Sequence, residues 1–330
     1  MKTCLTFTTL CVALLSAATS IAAEQDIITK SFTAKPGGKL HMRVDRGSIK
    51  ISAGTSDEVG IKVVRELRRA SDSKAREVYA MHRIEMSQSG DSVSIIADNP
   101  HKNRGFGLFS SNPFNNLHVE YTISVPSRFD LDVRTAGGNI AISDIEGMVS
   151  ANTSGGNLNL GTIIGEVRAH TSGGNITLEG SNGNADLHTS GGDLRIGEIK
   201  GDLLAKTSGG NISLDRVQGS TRAETSGGDI RVKEAYGPIM ARTSGGNVSA
   251  RLSEQPKADC ALKTSGGNVS VTLADKIALD LTARTSGGSV HSDFPGDMNK
   301  QRTKLVAQIN GGGPELALET SGGDIEIRKK

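Results

Sequence analysis

From Thr135 onward, apolar and polar residues follow a fixed beat. Thr-Ser-Gly-Gly, with Ala at its first occurrence, recurs at Thr135, Thr153, Thr171, Thr189, Thr207, Thr225 and Thr243, always 18 residues apart. It returns at Thr264 and Thr285 after 21 residues each, and again at Thr320. With the Thr as position 1, position 6 is always a branched aliphatic (Ile140, Leu158, Ile176, Leu194, Ile212, Ile230 and onward), and position 8 mostly is. Position 7 between them takes Ala141, Asn159, Thr177, Arg195 or Ser213. This period of two predicts a half-buried strand over positions 4 to 8. Positions 15 and 17 (Val149 and Ala151, Leu203 and Ala205) predict a second strand after the Gly at position 13.

Two strands per repeat, joined by glycine corners, make one coil. A lone coil cannot bury its apolar face, whereas stacked coils share a continuous core. The prediction is therefore an all-β protein: a parallel β-solenoid of stacked 18–21-residue coils with a narrow, two-sided core. The Ser-Gly-Gly corner is expected to use glycine for positive φ. Position 5 is Asn, Asp or Ser throughout (Asn139 to Asp324), a column that can hydrogen-bond from coil to coil. No Asp follows an Asp along it, which keeps like charges apart.

Residues 24–134 share this grammar without the period. Asp45–Ile51, Val59–Glu66, Ser92–Ile96 and Leu117–Val125 are strand candidates. Ala75, Val78, Tyr79 and His82 have helical spacing behind Ser71 or Ser73 as N-cap, predicting one helix that covers the open end of the stack. The expected division is a signal peptide over residues 1–23, an N-terminal region with strands, cap helix and a Phe-rich loop over 24–134, and the regular solenoid over 135–330. The signal reading rests on Lys2, the apolar run Leu5–Leu15 and the small residues at Ala22-Ala23; that run is too short to span a membrane. Insertions at Ser253–Lys257 and Ala274–Ile277 fall at corners, Ser292–Thr303 reads as a loop, and Leu305–Ile309, Asn310–Pro314 and Thr320–Ile327 are expected to close the stack.

Composition changes this picture little. Aromatics are 3% and Gly numbers 41, as thin aliphatic coils require. A formal charge of +2 without a basic stripe argues against nucleic acid as partner. Export removes Cys4 and Cys11, leaving Cys260 without an internal partner, at an inward slot.

The chain resembles the bacterial exported family known as putative adhesins, a β-solenoid domain of unknown function. The resemblance lies in Pro36-Gly-Gly-Lys-Leu followed by Gly47-Ser-Ile-Lys-Ile, in Tyr121-Thr-Ile-Ser-Val-Pro, and in Asn310-Gly-Gly-Gly followed by Thr320-Ser-Gly-Gly-Asp-Ile. It implies an envelope protein in the periplasm, at the cell surface or secreted, and it brings no catalytic residues with it.

Several constellations bear on chemistry. Asp193 and Asp229 lie two coils apart in one column, near the spacing of an inverting glycosidase pair, yet in slots filled elsewhere by Asn. His170 and His188 stack at position 18 without an evident third metal ligand. Calcium repeats need a third Gly that is missing here, and an ice-binding face is excluded by Arg195 and Arg231 at position 7. Sequons such as Asn175-Ile-Thr arise from the repeat itself. No cofactor, metal or catalytic residue is assigned. The expectation is a non-enzymatic, adhesin-like scaffold or binding surface, with a carbohydrate-active enzyme as alternative. Its partner would be an envelope protein, a polysaccharide or a lipid surface. The candidate partner-binding residues are Phe106, Phe109 and Phe114 with Lys102 and Arg104, three rings within nine residues of an aromatic-poor chain. These rings are either an exposed patch or a satellite core folded back on the stack.

Overall fold

The structure, a computed structural model, describes residues 25–98 and 114–330. Each 18-residue coil gives one strand to each of two sheets, and each sheet has fifteen strands among the described residues. The Thr189 coil is typical, with Leu194–Ile199 in the first sheet and Leu203–Lys206 in the second. Leu194 pairs in parallel with Ile176 below and Ile212 above, so equivalent residues stack in columns. The sheets face each other across one core of Leu, Ile, Val and Ala, including Ile176, Leu194, Ile212 and Ile230.

Positions 6, 8, 15 and 17 point inward as expected. A further inward column stands at position 11: Ile163, Ser181, Ile199, Val217 and Ala235. The alternation slips by one residue between positions 8 and 11, so positions 9 and 10 both face outward, as Asp215 and Arg216 do.

The corner works differently from its prediction. In the 18-residue coils from Thr135 to Arg242, only Gly138 and Gly147 are at positive φ. Glycine is needed at position 4 because the coils approach too closely for a side chain. A Cβ on Gly192 would lie 2.0 Å from the Gly174 carbonyl oxygen, and one on Gly210 1.9 Å from that of Gly192. Position 3 is less crowded, with 3.5 Å between a Cβ on Gly191 and its nearest neighbour. The Thr at position 1 is buried and clasps this corner. The Thr189 hydroxyl donates to the Gly174 carbonyl at 2.8 Å and accepts from the Gly192 N–H at 3.3 Å. The position-5 column is a ladder in which each side-chain oxygen accepts the next coil's backbone N–H. Asn175 Oδ1 receives Asp193 N–H at 2.7 Å, and Asp193 Oδ1 receives Asn211 N–H at 2.9 Å.

The ends depart from sequence order. Val269 pairs with Ile325, which in turn pairs with Val290, so the Thr320 coil is inserted between the Thr264 and Thr285 coils rather than closing the stack. The antiparallel strand Lys304–Ile309 lies beyond, against Leu279–Thr285. At the other end the coil Gly38–Gly54 sits between Phe129–Ile142 and the strands Ser92–Asp98 and Leu117–Pro126. Both sheets therefore continue past Thr135 into the N-terminal region.

That end finishes in two antiparallel edge strands, Gln25–Thr33 and Arg83–Ser89. Lys30 Nζ donates to the Met86 carbonyl and Gln88 to that of Thr33, tying the two edges together. The helix Asp72–Met81 starts at Ser71 and buries Ala75, Val78 and Tyr79, as its spacing predicted. It carries the chain from the first sheet to the second, and edge strands share the covering role expected of it alone. Among the described residues no helix is long and apolar enough to cross a membrane.

Candidate functional site

Of the expected partner-binding residues, Phe106, Phe109, Lys102 and Arg104 lie outside the described residues. Phe114 is described, and it is a core residue, fully buried. The Arg46 guanidinium lies 5.4 Å from its ring centre and donates to its carbonyl, and the His82 ring lies 6.3 Å away. Of the two readings Phe114 follows the packed one and drops out as a binding residue, because the turn before Leu117 carries it inward beside Arg46. Asp45, also buried, anchors this cluster through His82 Nε2 at 3.2 Å and Arg46 Nε at 3.1 Å. Burial alone would raise the Asp45 carboxyl, but the hydrogen bonds from His82 and Arg46 outweigh it and hold the group below the usual carboxylate range.

The acids and imidazoles singled out by spacing sit in the predicted columns. Asp193 and Asp229 use Oδ1 to accept the backbone N–H of Asn211 and Asn247, and Arg195 pairs with Asp193 at 2.9 Å. They hold coils together. His170 and His188 meet edge-on with ring centres 5.0 Å apart, and their column continues to Asn152 and Lys206. Cys260 is buried, and burial raises its thiol.

A surface depression follows from the slip in alternation. Where positions 9 and 10 both face out, the first sheet carries a groove of about 800 Å³ along successive coils from Glu179 to Thr272. One wall is the column Glu198, Arg216 and Glu234, stacked on neighbouring coils. Arg216 Nε donates to Glu234 at 3.1 Å, and the Tyr236 hydroxyl donates to the same carboxylate at 2.9 Å. The bond from Tyr236, then that from Arg216, holds Glu234 below the ordinary carboxylate range. The floor is made by positions 7 and 9: Arg231 and Lys233, then Ser249 and Arg251, then Ser270 and Thr272. Sequence reading placed Arg231 at an outward slot but missed the groove, because an alternation carried past position 8 puts position 10 inside.

Stacked coils around a two-sided aliphatic core define a parallel β-solenoid. The chain belongs to the Toastrack DUF4097 family, whose model matches residues 38–328. No curated protein matches it. Similar solved structures include a "putative cell adhesion protein" from Clostridium sporogenes, 14% identical over 94% of this chain and 100% of that one, with a TM-score of 0.23. A "putative adhesin" from Bacteroides fragilis is 11% identical over 92% and 97%, with a TM-score of 0.27. One from Parabacteroides merdae is 9% identical over 92% and 96%, with a TM-score of 0.33.

Proposed function

We propose that this chain is a non-enzymatic, exported envelope protein that acts as an adhesin-like scaffold, presenting the outer face of its first sheet to a partner. The observation that carries this reading is the groove itself. It runs across several coils, is lined by charged and hydroxyl side chains, and stands on a frame whose columns are held in register by the Thr clasps and the Asn and Asp ladder at the corners. Such a surface offers repeated contacts to an extended partner. The apolar run near the N-terminus supports export. The alternative, a carbohydrate-active enzyme, needs two acids in different environments across a cleft. Asp193 and Asp229 are instead committed to backbone N–H groups at exposed corners.

The test is retention from the native envelope on the immobilised full chain, with the retained fraction identified and polysaccharides assayed in parallel for new reducing ends. Retention of an envelope component without turnover is expected. Turnover would replace this reading with the enzymatic one, and the absence of any retained component would remove the scaffold role.

A further inference from the structure

The groove floor has a charge arrangement that its walls do not share. Arg231 and Lys233 lie on one strand, and the next strand places Ser249 beside Arg231 in register. Ser270 and Thr272 then pair with Ser249 and Arg251. Rows are about 4.8 Å apart, and outward residues on a strand about 7 Å apart. Three cations and three hydroxyls thus share a patch two residues wide and three strands long.

Lys233 is paired with Asp215. Within the described residues Arg231 and Arg251 form no ion pair, and both are exposed. Of the carboxylates around them, Asp229, two residues before Arg231, accepts the Asn247 backbone N–H through Oδ1, and two others are engaged within the groove. Glu234 is held by Arg216 and Tyr236, and Asp215 by Lys233. Two guanidinium forks therefore point out of a groove with hydroxyls beside them.

Resting on the scaffold reading, we propose that this patch binds an acidic polysaccharide, with Arg231 and Arg251 each taking a carboxylate or sulfate group and Ser249, Ser270 and Thr272 hydrogen-bonding the sugar hydroxyls between. The guanidinium fork suits planar, bidentate recognition of carboxylate and sulfate-like groups. Several features exclude the other polyanions. Among the described residues no aromatic ring lines the patch for bases to stack on, and Tyr236 behind the wall is taken up by Glu234 and Arg216. It has no apolar belt to enter a lipid surface. Small hydroxyls in alternate slots match a ligand that is itself rich in hydroxyls.

The experiment measures binding of polygalacturonate, dextran sulfate and neutral dextran to the full chain by affinity electrophoresis, with polyphosphate as a non-sugar polyanion. The variants are Arg231→Ser with Arg251→Ser, and Arg168→Ser on the opposite sheet. Both change exposed slots, so melting should stay near wild type. Wild type should retain polygalacturonate, dextran sulfate or both, in a salt-dependent manner, and leave neutral dextran free. The carboxylated and sulfated probes show which acid is preferred. The double variant should bind about thirtyfold more weakly, the loss of two charge-assisted contacts, while Arg168→Ser binds as wild type. Equal binding by the double variant, or no binding of either acidic polysaccharide, would overturn the proposal. Polyphosphate bound as tightly, with the same loss in the double variant, would reduce the patch to a general anion site and overturn the sugar assignment. If neutral dextran or an envelope protein is retained equally by wild type and double variant, this site falls while the scaffold reading stands.

Discussion

The coils from Thr153 to Arg242 and the two ends of the stack are built from the same corners and strands, yet they solve different problems. In the middle every coil has a neighbour above and below, so one side chain per slot suffices and chain order equals spatial order. The core there is aliphatic. At the N-terminal end the last strands lack a neighbour, antiparallel edges and a helix come in, and larger residues fill the space: Tyr121, Phe114 and Phe129 are the bulkiest fully buried side chains among the described residues. Polar groups go inside as well. Arg65 is buried and reaches the Tyr79 and His82 carbonyls and Asp26. Glycines differ in the same way. Gly37, Gly90, Gly311 and Gly312 hold positive φ in turns near the ends, whereas Gly192 and its column equivalents are needed for close approach.

The sharpest break between the regions should come from charge placed in the regular core. Ile212 is buried between Leu194 and Ile230 in a column of aliphatic side chains. Ile212→Asp should cost more than about 4 kcal/mol or prevent folding. Ile27→Asp on the exposed edge strand should change little, as should Arg195→Ser, and thermal melts compare the three. Next is the corner. Gly192→Ala forces a Cβ against the Gly174 carbonyl and should cost about 3 kcal/mol. Gly191→Ala meets only ordinary contacts and should be neutral or slightly stabilising.

The clasp is expected to be weaker. Thr189→Val strands the Gly174 carbonyl and the Gly192 N–H, a loss of about 2 kcal/mol by denaturant unfolding. The first coil offers a natural control, since Val44 stands in register with Thr135. Val44→Thr should leave stability within about 1 kcal/mol of wild type, far from the loss at Thr189. Smallest is Asn211→Asp, which keeps the ladder acceptor but sets a third carboxylate between Asp193 and Asp229. It should cost about 1 kcal/mol and recover in high salt, because the added repulsion is exposed and screened.

The legibility of the chain follows the same division. Repetition shows each slot's role many times over, so the columns, the ladder and the inward place of Cys260 could be read directly. Position 11 was hidden because it breaks the beat and takes Ser181 and Ala235 as readily as Ile199. The clasp was hidden because an invariant Thr identifies a repeat without showing which backbone groups its hydroxyl meets. The edge strands Gln25–Thr33 and Arg83–Ser89 are largely exposed and carry little apolar signal. The order of the terminal coils depends on long-range pairing between near-identical corners, and no local pattern distinguishes them. The groove followed from the slip and was lost with it. Phe114 was found by its oddity, and the structure gives that oddity a packing cause.

That terminal order is where a stack governed by register differs most from a stack governed by sequence. Cysteine pairs and a very short bifunctional thiol reagent test it, in a chain whose native Cys260 is buried. Ser270 and Glu326 are partners on adjacent strands, and His291 lies one strand further on. The Ser270→Cys, Glu326→Cys protein should cross-link within the chain, as detected by peptide mass, and the Ser270→Cys, His291→Cys protein should not. Cross-linking of the second pair in place of the first would contradict the inserted coil and restore the order of the sequence.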